Sequence, residues 1–178
     1  GELIELNTTD FQWMLWGRNL QQIGVFFTPL STLYFSIAYT SNHGLKKIVY
    51  LITVIQIVSV LLIFTDQYHH IMRDSVAIQP DAILGQAFVV HSSKIGSALV
   101  AFNFCIPIIS VSNLIAFSHK VSARRKRPLW LIIISIIATF VLALIQATVL
   151  CGSGINIPIP VWNLPCLILF AYAVLTEG

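Results

Sequence analysis

Ile48–Arg73 reads IVYLITVIQIVSVLLIFTDQYHHIMR, and the reading of this stretch decides the fold. No Asp, Glu, Lys or Arg occurs from Ile48 to Thr65. An apolar run of that length crosses a bilayer as a helix, which needs roughly 20 mainly apolar residues. The run is closed by Asp66, Tyr68, the adjacent His69 and His70, and Arg73. Titratable groups where a span leaves the membrane are costly unless solvated or paired, so this end is the first functional candidate.

The rest of the chain follows the same pattern. Apolar residues make up 57% and charged residues 10%, against about 25% charged in a soluble domain. Mean hydropathy is +0.85. Charge-free stretches also run from Asn19 to Leu45, from Ile95 to His119 and from Pro128 to Thr176. The last is long enough for two spans and is broken by Cys151-Gly152-Ser153-Gly154 and nearby prolines. The reading is an all-α integral membrane protein, a five-helix transmembrane bundle in one domain over 1–178. Spans are predicted at about 22–40, 48–66, 95–118, 129–150 and 161–176, after an outer amphipathic segment at 1–21. The first span lacks the basic start and cleavage site of a signal peptide. With no initiator Met and an end at Thr176-Glu177-Gly178, the chain reads as an internal piece of a longer protein.

Orientation comes from the loops. Lys46 and Lys47 lie between the first two spans, and Lys120, Arg124, Arg125, Lys126 and Arg127 between the third and fourth. Basic loop residues mark the cytoplasmic side. Glu2, Glu5, Asp10, Asp66, Asp74 and Asp81 all fall on the other side or at its boundary. The N-terminus is therefore placed outside and the C-terminus inside. The Arg124–Arg127 cluster is a topology signal in contact with lipid headgroups, and no nucleic acid is expected.

Asn7-Thr8-Thr9-Asp10 supplies capping residues for a helix starting near Asp10. Trp13 and Trp16 suit the membrane interface. Pro29 is expected to kink the first span and expose a backbone carbonyl. The outer segment 67–94 is the longest loop, with Leu84–Val90 apolar enough to lie against the membrane or the bundle. Gln56, Asn103, Asn113 and Gln146 lie within spans, as hydrogen-bonding links between helices or as pocket lining. Cys105 reads as a free, apolar-packed thiol. Cys151 and Cys166 are either free or paired in an oxidising exterior.

Three parts of the chain resemble the seven-helix N-terminal sensor region of bacterial histidine kinases and diguanylate cyclases. The first is Trp13, Leu20, Gln21, Gly24 and Pro29, leading to Phe35 and Tyr39. The second is Thr65-Asp66-Gln67-Tyr68-His69-His70, similar to that family's Thr-Asn-x-x-His signature, with Asp66 in place of the usual Asn. The third is the basic loop at Arg124–Arg127. The resemblance implies that the five spans are helices three to seven of a seven-helix domain. It also implies a multi-pass protein of the bacterial plasma membrane, signalling as a homodimer. A cytoplasmic output domain, cyclase or kinase, would follow the last helix, and His69–Arg73 is slightly more like the cyclase-linked members. His69 is the position that best carries over as functional.

Asp66, His69 and His70 are spaced i, i+3 and i+4, so they share a face if the second helix runs on to Met72. An Asp–His hydrogen bond would then fix the imidazole tautomer. The two histidines with a carboxylate, and His91, are a weak transition-metal set. Alternatively the cluster receives a polar group of an external ligand, with Arg18, Gln22 and Tyr68 beside it. The plainest alternative is that the histidines cap a helix end in the wet interface. A heme-type use is a further alternative, and the reading requires no cofactor.

No phosphate-binding glycine loop, nucleophile elbow, CxxC or HExxH is present, so no catalytic residue is assigned. The function expected is a sensory module. It would detect an extracellular small molecule or peptide and regulate an output domain. A fragment of a transporter, with helices broken at Pro29, Pro107 and Pro165, is the alternative.

Overall fold

Asp10 starts the first helix. Its Oδ1 accepts the backbone N–H groups of Gln12 at 2.8 Å and Trp13 at 3.4 Å, which satisfies donors that the first turn leaves unpaired. The resulting helix α1, Phe11–Thr40, contains the amphipathic segment from Phe11 onward and the first span. At 1.5 Å per residue it is about 45 Å long, so it extends well beyond a bilayer core of about 30 Å. The computed structural model describes residues 10–81, 85–145, 168, 171 and 172.

After α1 come a 3-10 turn at His43–Leu45, α2 at Lys46–Phe64 and a short turn α3 at Asp66–His69. Strands β1 (Arg73–Asp81) and β2 (Gly85–Ser92) follow, then α4 (Lys94–Ser118) and α5 (Ala123–Ile145). Among the described residues, four helical stretches are long and apolar enough to cross a membrane: Phe11–Thr40, His43–Phe64, Lys94–Ser118 and Ala123–Ile145. These helices overlap the segments expected for the first four spans, and residues 146–150 of the fourth lie outside the described residues. The fifth span at 161–176 lies outside the described residues except at Ile168, Ala171 and Tyr172, which are helical.

Three details depart from the sequence expectation. The outer segment is an antiparallel hairpin, with Val76 opposite Val90 and Ile78 opposite Phe88. Val, Ile and Phe at these positions suit a pleated ribbon. In addition, α5 begins before Pro128, so exposed Arg124–Arg127 form its first turns and not a loop. Cys105 forms no disulfide among the described residues and is exposed, so it is not packed into the interior.

The chain divides into two compact units. In the unit built from Gly1–Ser31 and Lys47–Phe104, α2 buries Val49, Ile52, Gln56, Ser59 and Ile63. That is one stripe at alternating steps of three and four. Phe26, Ile63 and Met72 form its apolar cluster, with Leu99 packed against it. Trp16 meets Phe64 edge-on at 5.6 Å.

A polar relay crosses the same unit. Pro29 has no N–H, so the Val25 carbonyl loses its helical donor. Asn103 Nδ2 donates to that carbonyl at 2.9 Å. Gln56 Nε2 donates in turn to Asn103 Oδ1 at 2.8 Å. Three helices are thereby tied at one depth. Gln56 is 1% exposed, and its Oε1 has no partner among the described residues.

The second unit, Thr32–Lys46 with Cys105–Gly178, has its own apolar cluster of Leu114, Leu129, Ile132, Ile133 and Ile136. Asn113 links α4 to the end of α1. It donates to the Ser36 carbonyl at 3.1 Å and to Thr40 Oγ1 at 2.8 Å, and accepts from Asn42 Nδ2 at 2.8 Å. Both asparagines of α4 are thus interhelical links. Gln146 lies outside the described residues, as do Cys151 and Cys166.

Candidate functional site

The junction between α2 and the hairpin is built by the stretch that closes the apolar run. α2 ends at Phe64, and Thr65 Oγ1 donates back to the Leu61 carbonyl at 2.8 Å. One more turn forms at Asp66–His69. His70 then takes the left-handed conformation at φ 51° and ends it. The second helix therefore does not run on to Met72. Asp66 and His69 share a face, with Oδ1 and Nδ1 3.7 Å apart. His70 leaves that face at the left-handed turn and is exposed.

His69 sits in a directional chain of hydrogen bonds. Its Nδ1 accepts the Ile71 N–H at 3.1 Å, and its Nε2 lies 3.0 Å from Thr65 Oγ1. An Nδ1 that accepts carries no proton. The ring is therefore the neutral Nε2–H tautomer, donating to Thr65, whose hydroxyl proton already goes to Leu61. The aspartate does not set this tautomer, because the nitrogen facing it is occupied by a backbone donor.

Asp66 instead holds the main chain. It is 4% exposed, and its Oδ1 accepts the Met72 N–H at 2.7 Å. A carboxylate on a buried amide is a charge-assisted bond, shorter and stronger than a neutral one. On the other side of Met72, its carbonyl accepts the Ser93 N–H at 3.1 Å. Ser93 Oγ donates to the Ile71 carbonyl and accepts the Gly96 N–H at 3.0 Å, so it also caps α4. Gly96 is required here, because a Cβ would collide with the Met72 carbonyl oxygen.

Arg73 adds α1 to the junction. It is 6% exposed and donates from Nη2 to Asn19 Oδ1 at 2.5 Å. The strand register slips between Arg73 and Ser75, leaving Asp74 as an extra residue. Such a bulge re-aims side chains; Arg73 is buried while Asp74 and Ser75 are both exposed. Burial holds the Arg73 guanidinium below its ordinary value. The Asp66 charge opposes that shift, and the Arg18 charge adds to it. Met72–Arg73 is thus gripped at once by α1, by the turn α3 and by Ser93, the capping residue of α4.

The remaining sequence candidates are more peripheral. Tyr68 is 80% exposed. Arg18 is half-buried and donates from Nη1 to Gln21 Oε1 at 2.8 Å, with half-buried Gln22 beside it. His91 pairs with Ser75 across the hairpin. Among the described residues, no group of three or more His, Cys, Asp or Glu side chains gathers where it could hold a metal ion. Arg73 closes the stretch that the sequence marks as a candidate but has no role assigned by sequence reasoning, and Asn19 is not singled out by it. The available signal was that Arg73 is one of few basic residues on the acid-rich outer side.

A family model described as the N-terminal 7TM region of histidine kinase matches residues 1–177. No curated protein and no solved structure matches the chain.

Proposed function

The chain belongs to the N-terminal 7TM region of histidine kinase, a membrane sensory module, and on that premise we propose that its outer hairpin and the Met72–Arg73 junction detect an extracellular small molecule or peptide. Of the two outputs implied by the sequence resemblance, the family description favours a histidine kinase domain. The protein would work as a homodimer in the bacterial plasma membrane.

The observation that carries this reading is the triple grip on Met72–Arg73. A ligand changes an equilibrium only by binding one arrangement better than another. A hairpin whose base is bonded to α1, to the turn α3 that follows α2 and to the cap of α4 converts a shift at its strands into a shift of those helices. Asp66 and His69 act here as positioning residues, since they hydrogen-bond Met72, Ile71 and Thr65 of the junction itself.

The test needs no known stimulus. Ser75 is exposed on the hairpin. In the full-length protein, with its native cysteines replaced by serine, Ser75→Cys is labelled from outside with a bulky membrane-impermeant maleimide. The expected result is a several-fold change in autophosphorylation on labelling. Identical activity before and after complete labelling contradicts the reading.

A further inference from the structure

His69 holds the entry to the hairpin through a bond that exists in one charge state of its ring. Nδ1 accepts the Ile71 N–H at 3.1 Å, which requires a lone pair on that nitrogen. A proton placed there removes the lone pair and sets two N–H groups against each other. Asp66 Oδ1 stands 3.7 Å from the same nitrogen, beyond hydrogen-bond distance and inside ion-pair range. A small tilt of a protonated ring closes that gap. Nε2–H stays with Thr65 in either state.

What the Ile71 bond restrains is a strained turn. His70 stands at φ 51° and ψ 30°, in the left-handed region that a residue with a Cβ avoids. Two bonds bracket it. Its own N–H donates to the Asp66 carbonyl at 2.8 Å, and the next N–H, that of Ile71, goes to His69. Directly beyond, Ser93 Oγ holds the Ile71 carbonyl. Loss of the His69 bond removes one bracket, so the turn can relax to ordinary backbone and carry Ile71 with it.

The charged groups around the ring are few. Asp66 shares its turn, and among the described residues it is the carboxylate in ion-pair range. The other charged side chains of the junction are Arg18 on α1, Arg73 and Asp74 on β1, and Lys94 at the head of α4. The His69 side chain is 26% exposed, so protons of the surrounding solution reach it.

The geometry points to His69 as an acid sensor on the outer side: a proton taken up from solution by Nδ1 exchanges the Ile71 N–H for Asp66 and releases the His70 turn. This rests on the sensor reading above and adds the proton as a stimulus acting at the base of the hairpin. Histidine is the side chain whose ordinary charge change falls between about pH 5 and 8. The neutral ring keeps the turn closed at the upper end of that window, and acidification opens it.

The experiment uses the full-length protein in right-side-out vesicles, with ATP sealed inside and the internal pH held near neutral. The outer pH is lowered from about 8 to about 5. A several-fold change in autophosphorylation is expected for the wild type. His69→Gln keeps an oxygen to accept the Ile71 N–H but cannot become charged, so it should abolish the response. His70→Asn suits the left-handed turn and should keep the response, as should His91→Gln. A local readout on the wild-type protein in nanodiscs accompanies this. Protection of the Ile71 amide against hydrogen exchange, corrected for the intrinsic effect of pH, should fall several-fold as nitrogen NMR shows the His69 ring gaining its second proton. If His69→Gln does not fold, that measurement decides. Constant output across the range, a response intact in His69→Gln, or Ile71 protection unchanged by ring protonation overturns the assignment. Such a failure would leave the sensor reading standing, because the hairpin-labelling experiment is run at one neutral pH and does not depend on the ring's charge.

Discussion

Asn103 donates to the Val25 carbonyl at 2.9 Å, and that carbonyl is the one Pro29, four residues on, leaves without a helical donor. A proline inside a membrane helix normally strands a carbonyl where no water can reach it. Here a neighbouring helix supplies the missing N–H, and Gln56 fixes the asparagine from the other side. Replacing Asn103 by Leu should remove both links. Interhelical hydrogen bonds in membranes average about 0.6 kcal/mol and reach about 1.7, so the loss should be roughly 1–3 kcal/mol. Thermal melting in detergent micelles measures it. An unchanged Tm would show that the relay contributes nothing to stability.

Gly96→Ala should be more damaging than its one added methyl group suggests. The new Cβ meets the Met72 carbonyl, which is backbone and cannot rotate away. Overpacking of this kind costs about 1–3 kcal/mol. It also separates α4 from the hairpin base. Faster hydrogen exchange at the Ser93 amide, with little change in the α5 cluster around Ile132 and Ile133, is the expected signature.

Ser93→Ala removes the cap of α4 and the link to the Ile71 carbonyl together. Loss of the cap alone is worth about 1 kcal/mol. Ser93→Thr keeps the hydroxyl and should restore most of it. If the alanine and threonine variants melt at the same temperature, the hydroxyl is not the stabilising group.

The His69 ring should be neutral and protonated at Nε2 in the resting protein. Nitrogen NMR of the labelled ring distinguishes the two tautomers directly. A pyridine-type signal from Nδ1 is expected, because that atom accepts the Ile71 N–H. A proton on Nδ1 would mean that the ring instead faces Asp66 as a donor.

Much of the membrane architecture was legible because charge is excluded from a bilayer core. The gaps from Ile48 to Thr65 and from Ile95 to His119 lie over α2 and α4 almost residue for residue. Asp10 was legible as a cap because capping is local. The hairpin was missed because hydropathy was weighed along 67–94 and not its period of two, although Val76, Ile78, Phe88 and Val90 fit a strand pair. Hydropathy does not show the start of α5, because the charge-free run begins only at Pro128, whereas the helix begins five residues earlier, at Ala123. The pairing of Asp66 with His69 follows from helical spacing, but the exit of His70 depends on a single left-handed residue. The Arg73–Asn19 contact joins residues far apart in sequence, and no local pattern announces it.

Asp66 gives the most direct test of the central claim, that the grip on Met72 couples the hairpin to the helices. The measurement is autophosphorylation of the full-length protein reconstituted in nanodiscs, comparing wild type with Asp66→Ala and Asp66→Asn. Alanine leaves the buried Met72 N–H without an acceptor, at a cost of about 1.5–3 kcal/mol. Asparagine keeps an oxygen in the same place. The account predicts a several-fold change in basal output for Asp66→Ala, with output near wild type for Asp66→Asn. Equal output from a folded Asp66→Ala protein and the wild type would contradict it.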